Sequence, residues 1–238
     1  TFYNAERAFE DAEEVREDKQ RAGEDVTQPD ATQRQNYQTA IKKAQKVLDN
    51  YPGHGLTDDA LFLQGKSYNR IGSYRMSIRK LSLLYTNFPQ TPFLEETYYL
   101  QAVNYLMLGD AGRSQDYLDR LARQFPESRF QSEALRASGD NAFALEDWED
   151  AAAAYQEFLD RFPQADDWDV STLRLGESLF ELGRYQEAAA SLQRVIEESE
   201  QGDRVFETRL LQARSLARAG EHQRAEELLG TLADEASI

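Results

Sequence analysis

Residues 58–89 read DDALFLQGKSYNRIGSYRMSIRKLSLLYTNFP, and this stretch decides the fold. Leu61, Gly65 and Tyr68 recur at steps of four and three, so they share one face of a helix. Gly72-Ser73 breaks the pattern, and glycine accepts the left-handed conformation that closes a helix. Tyr74, Ser77, Ile78, Leu81 and Leu84 then form the apolar face of a second helix. Phe88-Pro89 ends it, because proline cannot continue a helix and pushes the preceding residue out of helical geometry. The segment is a helical hairpin.

The marks of this hairpin recur on both sides of it. Pro52, Pro89, Pro126 and Pro163 are spaced at 37 residues, each after an aromatic residue: Tyr51, Phe88, Phe125, Phe162. Gly72, Gly109, Gly183 and Gly220 follow the same period, with Glu146 in the missing slot. Gly65, Ala102, Gly139, Gly176 and Ala213 form a third series, and Ser77, Ser114, Ala151, Ala188 and Ala225 a fourth. The third and fourth series put small residues where the two helices of a hairpin face each other, so their backbones can approach closely.

One period shared by four series predicts an all-α protein, a right-handed superhelical solenoid of about six helix pairs in a single domain over 1–238. The expected repeats are about 2–52, 58–89, 95–126, 132–163, 169–200 and 206–232. The first is irregular: a helix from Phe2 to about Lys19, a long polar loop from Gln20 to Thr32 containing Gly23 and Pro29, and a helix from about Gln33 to Asn50. Ser199 to Asp203 lacks the proline and predicts a looser joint. The last helix, Gln223 to Ala233, keeps Ala225, Leu228, Leu229 and Leu232 apolar with no polar capping helix after it. That predicts a continuation past Ile238 or a partner docked there.

Composition narrows the function. The formal net charge is -16, from 43 acidic and 27 basic residues, which argues against nucleic acid and against an anionic membrane face. No run approaches the roughly 20 apolar residues needed to cross a bilayer. There is no Cys, which removes disulfides, thiolate metal sites and Cys nucleophiles. His54 and His222 lie far apart, in an inter-repeat loop and a hairpin turn. The carboxylates Glu146-Asp147, Glu149-Asp150 and Asp166-Asp167 read as helix caps and solvated surface. Trp148 occupies the slot of Tyr74 and Tyr185 and reads as core, and Trp168 as packing between repeats. No phosphate loop, zinc spacing or calcium loop occurs. The expectation is a chain that is not an enzyme, with no catalytic residues, no metal and no cofactor.

The spacing of Gly65, Tyr68, Gly72, Tyr74, Ser77 and Pro89 resembles the tetratricopeptide repeat, with a period of 37 instead of the usual 34. The resemblance implies that the first helix of each repeat lines a concave face that binds peptides or partner helices. Carried onto this sequence, the groove positions are Phe62, Lys66, Asn69 and Arg70 in the second repeat, and Tyr99, Val103, Leu106 and Met107 in the third. Arg136, Asp140, Phe143, Arg174, Glu177, Phe180 and Arg214 follow in the later repeats. An apolar strip beside Lys66 and Arg70 suits a peptide with aromatic side chains and a carboxylate.

The inter-repeat phrases are more particular. Asn87-Phe-Pro-Gln-Thr-Pro-Phe93, Gln124-Phe-Pro-Glu-Ser-Arg-Phe130 and Asp160-Arg-Phe-Pro-Gln164 resemble those of envelope lipoproteins of Gram-negative bacteria. These include the tetratricopeptide lipoprotein of the outer-membrane β-barrel assembly machine and the periplasmic coordinator of the Tol-Pal system. Residues 1–9, TFYNAERAF, are similar to the segment just after the lipid-bearing Cys of such lipoproteins. The absence of an initial Met reads as a processed or truncated chain. The resemblance implies a periplasmic scaffold for envelope proteins, anchored to the outer membrane by a lipid upstream of Thr1. A cytoplasmic tetratricopeptide adaptor and a repeat segment of a larger enzyme are the alternatives.

Overall fold

The computed structural model describes residues 2–22, 24, 26, 28–51, 53–199 and 202–235. Among these there are thirteen helical segments and no strand. They are α1 (Tyr3–Arg21), α2 (Ala31–Asn50), α3 (Thr57–Arg70), α4 (Tyr74–Asn87), α5 (Leu94–Met107), α6 (Ala111–Gln124), α7 (Gln131–Ala144), α8 (Trp148–Arg161), α9 (Trp168–Glu181), α10 (Tyr185–Ser191), α11 (Gln193–Glu198), α12 (Gly202–Arg218) and α13 (His222–Glu235). Segments α10 and α11 are the two halves of one second helix, interrupted at Leu192. Four consecutive first helices start at 57, 94, 131 and 168, and five second helices at 74, 111, 148, 185 and 222. Both series keep the 37-residue period. The fold is an all-helical solenoid of tetratricopeptide type, built as two compact units, Thr1–Ser128 and Arg129–Ile238.

Two boundaries differ from expectation. Helix α2 starts at Ala31, not Gln33, because the Asp30 carboxylate accepts the Gln33 N–H while the Gln33 amide oxygen accepts the Asp30 N–H. Helix α12 starts at Gly202, ahead of the expected 206. Gly23, Pro52 and residues 200–201 lie outside the described residues, and with them part of the polar loop, the first aromatic-proline joint and part of the proline-free joint.

The turns within hairpins explain the second glycine series. Gly72, Gly109, Gly183 and Gly220 have φ of 75°, 75°, 75° and 87°, and Glu146 has φ 58°. After each, the next N–H donates to the carbonyl five residues back: Ser73 to Tyr68, Asp110 to Tyr105, Asp147 to Ala142, Arg184 to Leu179 and Glu221 to Leu216. This satisfies carbonyls that the helix end would leave open. Glu146 adopts the geometry despite its Cβ, at a cost of about 1 kcal/mol.

The facing small residues explain the third series. A Cβ added to Gly139 would lie 2.7 Å from Tyr155 Cε1, and one added to Gly176 would lie 2.6 Å from Leu192 Cδ2. One added to Gly65 would fall within the Leu81 side chain. Around these contacts the core of the first unit builds from Phe9 of α1, Tyr37 and Val47 of α2, and Leu63 of α3, followed by Leu61, Leu81, Leu84 and Leu100. In the second unit Tyr155, Leu175, Leu179 and Ala188 do the same.

Hairpins are tied to one another by buried amides. The Gln64 side chain donates to the Ile41 carbonyl at 3.1 Å, Gln101 to the Ile78 carbonyl at 3.3 Å, and Gln212 to the Ala189 carbonyl at 2.9 Å. The inter-repeat phrases act similarly. Thr91 donates to Asp58 at 3.0 Å and Ser128 to Glu95 at 2.7 Å, each reaching back to the start of the preceding first helix.

Two outcomes are expected from this geometry. Glu146→Gly should stabilise the protein by roughly 0.5–1 kcal/mol, relief of the left-handed strain exceeding the added flexibility of the unfolded chain. Gly65→Leu should destabilise by roughly 1–3 kcal/mol or more through overpacking against Leu81. Urea midpoints of both variants check this. A Glu146→Gly protein less stable than its parent would contradict the turn assignment.

Candidate partner-binding face

The first helices of the first unit, α1, α3 and α5, are neighbours. The periodicity that buries Leu61 and Leu81 leaves Phe62, Lys66, Asn69 and Arg70 on the side of α3 that meets α1 and α5. Phe62 is buried and stacks on Phe93 with ring centroids 4.4 Å apart and planes 10° from parallel. The Lys66 ammonium lies 2.8 Å from the Glu96 carboxylate of α5, and 5.2 and 5.3 Å from the Phe9 and Phe62 ring centres. Arg70 makes two bonds of 2.8 Å to the two oxygens of Glu13 on α1.

Asn69 opens a directed chain of hydrogen bonds. Its amide donates to Asn104 Oδ1 at 3.0 Å, the Asn104 amide donates to Ser77 Oγ at 2.8 Å, and Ser77 donates to the Gly65 carbonyl at 2.8 Å. The chain joins α3, α4 and α5. Both cations expected to meet a partner carboxylate therefore already hold carboxylates of this chain.

Tyr99, Val103 and Leu106 are half-buried along α5, and Met107 is 54% exposed. Tyr99 is close enough to Arg70 to act on its charge. In the second unit, Arg136 bonds to Asp140 at 2.8 Å and to Asp167 at 3.2 Å, and Asp140 also accepts from the Tyr155 hydroxyl. Arg174 covers the Phe143 ring at 4.5 Å and pairs with Glu177, and Arg214 covers Phe180 at 5.0 Å. The polar groove positions thus largely join one first helix to another.

Residues that sequence reasoning did not assign complete the site. A cavity of about 310 Å³ lies between α1 and α3 beside Phe93, lined by Phe2, Glu6, Phe9, Glu10, Asp59, Phe62, Leu63, Lys66 and Phe93. Only Phe62 and Lys66 were expected there. The α1 members were missed because α1 itself carries none of the periodic marks. Their signal is the step Glu6, Glu10, Glu13, which places three carboxylates on one face of a helix.

The aromatic outliers resolve too. Trp148 is half-buried, edge-on to Phe143 at 5.1 Å, as Tyr185 is to Phe180 at 5.3 Å. Trp168, expected to pack between repeats, is covered at 4.3 Å by Arg194 of its own repeat. His54 and His222 are exposed, and Asp147 caps α8. No helix among the described residues is long and apolar enough to cross a membrane.

The comparison with known families agrees with this geometry. The tetratricopeptide repeat model matches residues 99–166, 136–203 and 173–237, together more than half of the chain. The chain belongs to the tetratricopeptide repeat family. Tetratricopeptide repeats bind other proteins or peptides, and this chain is in that sense an interaction scaffold. Among solved structures, MamA of strain AMB-1 is 17% identical with a TM-score of 0.64, covering 75% of this chain and 91% of its own. MamA of strain MSR-1 is 18% identical with a TM-score of 0.62, covering 77% and 99%. A putative kinesin light chain of Podospora anserina with nearly identical repeats is 13% identical with a TM-score of 0.59, covering 77% and 96%. At these identities the likeness is one of fold. No curated protein sequence matches the chain.

The Glu13–Arg70 rung sets part of the pH dependence. Burial pushes the Glu13 carboxyl up, but the bonds and charge of Arg70 and the Tyr37 hydroxyl outweigh it and hold the group below the ordinary glutamate range. A carboxyl that binds its proton less tightly when folded contributes stability above the ordinary range and loses it as pH falls through the lowered value. Glu6 and Asp59 act in the opposite sense. Burial first, then neighbouring carboxylates, holds both above the ordinary range, so their contribution improves on acidification. Glu13→Gln should cost about 1–2 kcal/mol at neutral pH. That difference from the parent should shrink as pH falls below the glutamate range. Urea midpoints at several pH values read this directly, and a constant difference would rule it out.

Proposed function

We propose that this chain is a non-catalytic scaffold of the bacterial cell envelope that binds envelope proteins, with a role in outer-membrane protein assembly. It works in the periplasm, held to the outer membrane by a lipid upstream of Thr1. The observation that carries the binding reading is the face of the first helices, which carries a ligand-sized cavity walled by Phe9, Phe62 and Phe93 and, along α5, the half-buried residues Tyr99, Val103 and Leu106. Aromatic anchors of this kind carry most of the energy of a protein interface. The envelope setting is supported by the aromatic-proline phrases at 87–93, 124–130 and 160–164 and by the opening TFYNAERAF.

The groove strip Phe62, Tyr99, Val103, Leu106 and Met107 receives apolar side chains of the partner. Lys66 and Arg70 hold the strip in place through Glu96 and Glu13. Tyr99→Ala should therefore weaken a partner by about 2 kcal/mol. Lys66→Ala should weaken it less, because the lost bond is internal. The test is capture from envelope and cytosolic fractions by the parent and by Tyr99→Ala, followed by affinity measurement of the captured protein. Partners drawn only from the cytosolic fraction would overturn the envelope setting, and a partner indifferent to Tyr99→Ala would move binding off this face.

A further inference from the structure

The charge ladder between α1 and α3 changes character along its length. At one end Glu13 of α1 meets Arg70 of α3 in two bonds of 2.8 Å. Two turns back along α1, Glu6 instead lines a cavity together with Asp59 of α3. Asp59 stands at the repeat position that Glu96 occupies 37 residues later, and Glu96 is bonded to Lys66 of the preceding first helix at 2.8 Å. The rung that α3 and α5 make from a cation and an anion is made by α1 and α3 from two anions. Glu10 adds a third carboxylate, and among the described residues none of the three is ion-paired.

The cavity of about 310 Å³ opens at this rung. That volume is at the lower end of ligand-sized pockets. Its walls are aromatic, and they already hold one cation, the Lys66 ammonium at 5.2 and 5.3 Å from two ring centres. Lys66 is committed to Glu96, so the cavity keeps an excess of negative charge over an aromatic floor. Burial, then the charges of Asp59 and Glu10, hold the Glu6 carboxyl above its ordinary range, and burial, then Asp58, does the same to Asp59, so an arriving cation would relieve an existing strain.

We propose that this cavity receives an arginine side chain of a partner peptide, its guanidinium among Glu6, Glu10 and Asp59 and its stem against Phe9, Phe62 and Phe93. Arginine fits better than lysine because a planar guanidinium bonds carboxylates in pairs and stacks on aromatic rings. The net charge of -16 adds long-range attraction for a basic segment. The proposal rests on reading the first-helix face as the binding face and names the chemistry that face selects.

The test uses the full chain, isotope-labelled for NMR, with the capped peptide acetyl-Ala-Phe-Arg-Phe-Ala-amide and its citrulline and glutamate counterparts. The arginine peptide should shift the amides of Glu6, Glu10, Asp59 and Phe62 and bind about tenfold or more tighter than the citrulline peptide. The double variant Glu6→Gln/Asp59→Asn should abolish that preference while melting no lower than the parent, since it removes a repulsion. Equal affinities for arginine and citrulline, a preference for glutamate, or the absence of arginine-peptide binding would each overturn the proposal. Shifts confined to residues 99–107 would also overturn it, while leaving the first-helix face standing as the binding face. The same holds for a captured partner that is weakened by Tyr99→Ala but untouched by the double variant.

Discussion

Two helices approach only as closely as the residues between them permit, and here that limit is set by positions with little or no side chain. Gly65, Gly139 and Gly176 each receive a large side chain from the partner helix sixteen residues later: Leu81, Tyr155 and Leu192. Tight contact at this point fixes the separation and phase of the hairpin. The second helix then ends in a fixed place, and a six-residue joint, 88–93, 125–130 or 162–167, returns the chain to the start of the next hairpin. The constant 37-residue stride of the helix starts follows from this contact being repeated. Where the knob is Tyr155 instead of Leu, its hydroxyl needs a partner and finds Asp140 at 2.8 Å.

Stacking the hairpins raises a second requirement, since each interface buries polar groups. Gln64, Gln101 and Gln212 meet it on the donor side, each giving its amide N–H to a carbonyl of the preceding second helix while Oε1 of Gln64 and Gln101 accepts nothing among the described residues, and Asn69, Asn104 and Ser77 meet it by passing hydrogen bonds in one direction to the Gly65 carbonyl. Networks of this kind define one register, because a shift of one residue would leave every member unpaired in a poorly solvated interior. The ion pairs Lys66–Glu96 and Arg70–Glu13 belong to the same system. They stabilise the stack less than their number suggests, since half-buried pairs lose hydration as they form.

The periodic residues made the fold legible in sequence. Pro, Gly and small residues each have one mechanical role, and that role recurs whenever the residue does, so the hairpin boundaries from 57 to 198 could be read within a residue or two. Glu146 was placed in its turn by register alone, against its own preference for a negative φ. The amide ladder was legible in principle, as Gln64, Gln101 and Gln212 obey the period, but glutamine has no single structural meaning. The site was only partly legible. Register gave the face of α3 and α5, including Phe62, Lys66, Asn69 and Arg70. It could not give the internal partners Glu13 and Glu96, because which charges meet depends on how neighbouring first helices are offset. Helix α1 was legible as a helix, but its facing side was not, because it has no periodic mark to set its phase.

A repeat protein supplies its own controls. Asp59 and Glu96 occupy one position in successive hairpins, with the same helix phase. The difference between them lies in what faces them: Glu96 has Lys66, and Asp59 has Glu6. The unpaired state of Asp59 is therefore not something the fold imposes, since the fold places a cation at the equivalent rung one interval later. The same reasoning applies along α1, where Glu13 receives Arg70 and Glu6 does not receive a counterpart. The like charges border a cavity walled by Phe9, Phe62 and Phe93, which leaves room for a counter-charge between them. Cavity and charge excess thus coincide at the one interval among α1, α3 and α5 where the ladder departs from its pattern.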